Sequence, residues 1–201
     1  MNIDYDQFYP VNPGETFWFE DFKLTVRRAK HNVAGKPEPE KGLHFPKGMM
    51  EQDLSEYGIG DHRMLNEYGS VYSLDYYITT KENLRILISS GALFDGTGTM
   101  IYDNVFHYAA EFNPNIVIRQ ATRLGTPEFF AQVLNRFGAQ IYFPFHHEAM
   151  DRRAKRDPSQ MNTKQYIEAA DAALQKISGS RLINPKQFHW YTIGSFVNEC
   201  S

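Results

Sequence analysis

Residues 116–143 read IVIRQATRLGTPEFFAQVLNRFGAQIYF, and this stretch decides the fold class. Ile116, Val117 and Ile118 make a short, wholly apolar run, the pattern of a strand covered on both faces. Thr126-Pro127-Glu128 then reads as a helix start. A threonine side chain can accept from an unpaired helical N–H, proline's fixed φ suits the first helical position, and a glutamate favours the positive end of the helix. Phe129, Phe130, Val133, Leu134 and Phe137 recur at helical spacing, Gly138 supplies the stop, and Gln140 to Phe143 resumes as a strand. Strand, helix, strand predicts a right-handed crossover between parallel strands of one sheet, with Ile116–Ile118 central in it.

Outward from this unit the pattern changes to hairpins. Thr16–Phe19 and Phe22–Arg27 alternate aromatic and β-branched residues with polar ones around Glu20-Asp21, which predicts two paired strands. Val71–Thr79 and Leu84–Ile88, joined at Lys81-Glu82-Asn83, predict a second hairpin. A short helix is expected from Asn104 to Glu111, capped by Asp103 and burying Val105, Phe106 and Ala109. A polar stretch, Asp151 to Pro158, leads to a further helix at Thr163–Ile177, with Ile167, Ala170, Leu174 and Ile177 on its apolar face and Gly179 at its end. Phe188–Phe196 suggests a last strand. Between Asn32 and Glu67 the chain is rich in glycine and proline, and a connection of that length is a candidate lid or substrate loop. The chain is expected to form a single α/β domain over residues 1–201.

Composition narrows the functional classes. The chain has 201 residues, 42% hydrophobic and 22% charged, an ordinary globular balance. Its formal net charge is −3, so no overall positive field favours nucleic acid or an anionic membrane as partner. No apolar run approaches the ~18 residues of a membrane span. The first residues lack the basic start and apolar core of a secretory signal, and a cytoplasmic location is expected. With one cysteine, Cys200, a multi-cysteine zinc site is excluded.

Seven histidines, at 31, 44, 62, 107, 146, 147 and 189, are the first places to look for acid–base or metal chemistry. His31 and His146 stand out because each follows a predicted strand, where a rigid element delivers a side chain to a cleft. His147 and Glu148 follow His146, but neighbours on an extended chain face opposite ways, so only one of the two histidines can point inward.

The order of these segments resembles the second half of a metallo-β-lactamase-fold hydrolase, nearest the branch of ascorbate-phosphate lactonases and the N-acyl-phosphatidylethanolamine phospholipase. Leu24-Thr25-Val26-Arg27-Arg28-Ala29-Lys30-His31 resembles that branch's strand ending in a metal-binding histidine. Thr126-Pro127-Glu128-Phe129-Phe130 through Gly138-Ala139-Gln140-Ile141-Tyr142-Phe143-Pro144-Phe145-His146 resembles its helix and following strand, whose final histidine is a ligand. The likeness spans about Phe17 to Glu148. It implies one half of an αββα sandwich with a mixed sheet and flanking helices, and a metal set of His31, His146, Asp95 and His147 binding zinc or another divalent ion. Such an ion would lower the pKa of bound water to about 7 and polarise the scissile bond.

Two departures from the family pattern matter. Its His-x-His-x-Asp-His motif is absent, and the position of its bridging aspartate holds Ala92, with Asp95 three residues on as the nearest substitute. Zinc sites generally need at least three protein ligands, and the motif match supplies two. The resemblance thus implies a metal-dependent hydrolase-like protein, incomplete or inactive without its other half. Its alternative is a non-catalytic binding or oligomer-assembly protein derived from the same fold. Half a sandwich leaves an apolar sheet face to be covered, so a homo-oligomer or a complementary N-terminal half is the expected partner, besides a small-molecule substrate if the protein is active.

Overall fold

The computed structural model describes residues 11–29, 73–94, 100, 102–121, 125–146 and 148–185. The fold is α/β, built on one mixed sheet of seven strands with flanking helices. β1 (Thr16–Trp18), β2 (Phe22–Ala29), β3 (Ser73–Thr80) and β4 (Arg85–Ser89) pair antiparallel in sequence. β5 (Ile116–Gln120), β6 (Ile141–Phe145) and β7 (Arg181–Leu182) then add in parallel, giving the order β1-β2-β3-β4-β5-β6-β7. Helix α1 (Asn104–Phe112) connects β4 to β5, and α2 (Pro127–Asn135) connects β5 to β6. The pair α3 (Glu148–Arg156) and α4 (Thr163–Ser178) connects β6 to β7.

That strand order never reverses, and this fixes where the helices go. Right-handed crossovers that always step in the same direction must all pass over the same face of the sheet. Tyr77, Leu87, Val117, Tyr142 and Leu182 sit side by side in register on that face and are all buried. They form one core with Val105, Phe106 and Ala109 of α1, Phe130, Val133 and Leu134 of α2, and Ile167, Ala170 and Leu174 of α4. The opposite face carries Leu24, Val26, Tyr76, Ile78, Ile86, Ile88, Ile116, Ile118 and Phe143. Val26 and Ile116 are buried there, the others are half-buried, and none belongs to the helix-side core.

Local signals explain the element ends. The Thr126 hydroxyl accepts from Phe129 N–H at 3.3 Å, with Pro127 in the first turn, as expected. Asn162 and Gln165 form a reciprocal capping box at the start of α4, and Gly179 closes it with φ 74°. Asp103 precedes α1 as expected, but its backbone is already helical and its side chain makes no capping hydrogen bond. Two aromatic and aliphatic positions expected inside lie at the edge of their stripes: Phe129 is 40% exposed and Ile177 45%. The polar stretch read as a connection begins inside α3, whose last turn places Arg153, Lys155 and Arg156 against the negative helix end. The two-residue β7 was not signalled, being too short to show a period. No helix of the described residues is long and apolar enough to cross a membrane. The Asn32–Glu67 connection and the Phe188–Phe196 strand lie outside the described residues.

Candidate functional site

The C-terminal ends of β2, β4, β5 and β6 all lie at one edge of the sheet, because β2 runs antiparallel to β3, and β4, β5 and β6 are parallel. This edge is where the expected site residues begin. His146 follows Phe145 at the end of β6, is exposed, and has the left-handed backbone φ of 55°. That conformation is uncommon for a residue with a Cβ, and it turns the chain sharply between β6 and α3. His31, Asp95 and His147 lie outside the described residues. The ends of β2 and β6 are four strand spacings apart, about 19 Å, a span that any pairing of His31 with His146 has to bridge.

The same edge holds a buried polar cluster that sequence reading did not single out. Asp75 at the start of β3, Ser89 at the end of β4 and Arg119 in β5 are adjacent in register and almost fully buried. Arg119 donates from Nη1 to the Ser89 carbonyl at 3.2 Å and to Ser89 Oγ at 2.5 Å, and from Nη2 to the Gly91 carbonyl. Gln120 donates to that same carbonyl at 3.2 Å. Asp75 accepts from Ser90 N–H at 3.2 Å, and the Tyr102 hydroxyl lies 3.2 Å from Asp75 Oδ2 and 3.0 Å from the Arg28 carbonyl, with its one proton to share between the two acceptors. Strands β2, β3, β4 and β5 and the 90–102 connection are thus tied at one point.

Burial governs the protonation of this cluster. Loss of water pushes the Asp75 carboxyl above its usual range, and attraction to Arg119 with hydrogen bonds from Ser89 and Tyr102 opposes this only in part. Arg119 is pushed down to about 10 by burial, against the pull of Asp75, and keeps its charge at neutral pH. The Tyr102 phenol is pushed up by burial and by the neighbouring carboxylate. Arg119 Nε has no hydrogen-bond partner among the described residues.

The cluster decides what the turn at Ser90-Gly91-Ala92 can do. In the family pattern this turn ends in a metal-bridging aspartate, whereas here Ala92 is 9% exposed and offers no donor atom. Both oxygens of the nearby buried carboxylate, Asp75, are already engaged. Among the described residues no group of three His, Cys, Asp or Glu side chains could hold a metal ion. The described residues supply His146 alone of the four expected ligands, and one imidazole does not by itself make a site for zinc or another divalent ion. Beside this edge a cavity of about 240 Å³ lies between Gly125, Pro127, Met150, Arg153, Met161 and Tyr166. It is smaller than the ~300–1,000 Å³ common for small-molecule sites.

Arg119 was overlooked because it closes an apolar run, where an arginine reads as the exposed end of a strand. The available signal was weak: a charged residue four positions into a strand expected to be covered on both faces needs a buried counter-ion.

No protein-family model matches the chain, and no curated protein matches it. Among solved structures it is similar to a metallo hydrolase from the hyperthermophilic archaeon Ignicoccus hospitalis, with 9% identity and a TM-score of 0.46 over 92% of this chain and 64% of that one. The chain therefore spans less than two thirds of the length of that protein.

Proposed function

We propose that this chain is a metallo-hydrolase-like α/β protein that acts as a binding or assembly module rather than as a self-sufficient metal-dependent hydrolase. One observation carries the reading: the buried Asp75–Arg119 pair that clamps the Ser90-Gly91-Ala92 turn. A fixed cation already balances the buried carboxylate at the edge, and its positive charge in a poorly screened interior disfavours a divalent ion nearby. The assembly partner is a second copy of the chain, which would cover the half-buried apolar face that no crossover reaches. Elemental analysis of the purified chain, dialysed against zinc and manganese and then buffer, tests this. Metal far below one ion per chain is expected, together with a melting temperature that a chelator does not move. Stoichiometric metal that disappears in His146→Ala overturns the reading.

A second reading is favoured by the sheet itself. The apolar face around Ile78, Ile86, Ile88, Ile118 and Phe143 is what a complementary half of a sandwich would cover, and a hydrolase completed in that way would take its remaining ligands from that half. Light scattering separates the two: a homodimer favours self-assembly, and a monomer that binds a separate His-x-His-x-Asp-His half with uptake of metal favours completion.

A further inference from the structure

The opposite edge of the sheet carries a second feature. There the ends of β2, β3 and β4 and the C-terminal half of α1 enclose an open groove of about 390 Å³, within the range of small-molecule sites. Lys23, Arg27 and Arg85 line it, with Thr25, Thr79 and Asn83 between them and Tyr77 among the floor residues. None of the three cations forms an ion pair among the described residues. Glu111 is the acidic residue of the lining, and its carboxylate lies 3.2 Å from His107 on the outer side of α1.

The cations are held in place without being neutralised. The Arg27 guanidinium lies 4.1 Å from the centre of the Tyr108 ring and 5.6 Å from that of Tyr77, contacts that orient it while leaving its N–H edge available. Arg85 donates Nε to the Asn113 carbonyl at 2.6 Å, which leaves its two terminal nitrogens. Lys23 lies 5.1 Å from the Trp18 ring centre. Tyr77 supplies an independent sign of a ligand: it is 3% exposed, and its hydroxyl has no hydrogen-bond partner among the described residues. A buried hydroxyl left unpaired is costly, and an oxygen acceptor at the groove floor would satisfy it.

We propose that this groove binds the phosphate group of a small phosphate monoester. Three positive side chains against one negative leave two positive charges in the lining, which matches the −1.5 to −2 of a phosphate monoester near neutral pH better than the single charge of a carboxylate. The arginines supply charge-assisted donors, the threonine and asparagine side chains supply neutral ones, and Tyr108 and Phe112 give the organic part an aromatic wall. Phosphate binding in this groove requires neither a metal nor assembly of the protein.

Amide chemical shifts of the full chain, titrated with inorganic phosphate, phenyl phosphate and acetate at matched ionic strength, test the proposal. Saturable shifts at Thr25, Tyr77, Thr79 and Asn83 are expected with both phosphates, with phenyl phosphate binding more tightly than the free ion. Tighter binding of inorganic phosphate identifies free phosphate as the ligand and overturns the ester. Arg27→Gln should weaken binding about tenfold or more, the effect of losing one charge-assisted contact. Thr79→Glu, which places a negative charge in the groove, should abolish it. Equal shifts with acetate, or unchanged phosphate binding in both variants, overturns the site.

Discussion

Replacing Arg119 with methionine keeps most of the side-chain volume but removes the cation whose attraction holds the Asp75 pKa down. Three hydrogen bonds go with it, to the Ser89 carbonyl, Ser89 Oγ and the Gly91 carbonyl. Breaking one side of a buried charge pair typically costs about 3–5 kcal/mol, because the remaining charge is left in the interior without compensation. At roughly 2–4 °C per kcal/mol for a chain of this size, the melting temperature should fall by roughly 6–20 °C. Asp75 has one way to limit the loss, which is to take up a proton. Its folded pKa is already raised by burial, and without Arg119 it rises further. A carboxyl whose folded pKa exceeds its unfolded value stabilises fully at low pH, and that contribution is lost as pH rises through the folded pKa. The deficit of Arg119→Met relative to the unmodified protein should therefore be small near pH 4 and large at pH 7.5. Asp75→Asn added to Arg119→Met should recover much of the loss at pH 7.5 and little near pH 4. Urea denaturation followed by circular dichroism at the two pH values measures all of this. A variant within about 1 kcal/mol of the parent at pH 7.5, or a deficit independent of pH, would refute the account of the cluster as a coupled buried pair.

Two further perturbations test the fold. Thr126→Ala removes the side-chain acceptor from the first turn of α2 and should cost about 1 kcal/mol in the same denaturation assay, with Thr126→Ser restoring it. Leu87→Ala opens a cavity at a fully buried position between Tyr77 and Val117 and should cost about 2–5 kcal/mol, whereas Ile88→Ala, on the half-buried opposite face, should cost less. Equal losses at the two positions would contradict the one-sided core.

Much of the fold was legible because its signals are local. The Thr126 cap, the stripe of Phe129, Phe130, Val133, Leu134 and Phe137, and the apolar run at Ile116 each report a short stretch of backbone and gave the right elements, although Phe129 lies at the edge of its stripe and the Ile116 strand has the helix-side core on one face only. The two hairpins were equally readable, since alternation and the Lys81–Asn83 turn set their pairing, with Asn83 taking the positive φ of 62°. Helix α3 was missed because it is stabilised by charge at its end and by contact with α4, not by an apolar face. The candidate site was less legible. The described residues place His146 at the expected sheet edge, but Asp75, Ser89, Tyr102 and Arg119 come from four separate segments, and nothing in any one of them announces the others.

By itself the sequence determined most of the elements, the Thr126 and Gly179 ends of α2 and α4, and the parallel step from β5 to β6, because backbone preference and hydrophobic period act over a few residues. Only the tertiary structure decided that the strand order never turns back, so that every crossover falls on one face and the other face keeps Ile78, Ile86, Ile88 and Ile118 half-buried. It alone brought a carboxylate from β3 and a guanidinium from β5 into one buried cluster, and set Lys23, Arg27 and Arg85, which form no ion pair among the described residues, around one groove, because charge acts through space and the chain gives no local mark of which distant partner it will meet.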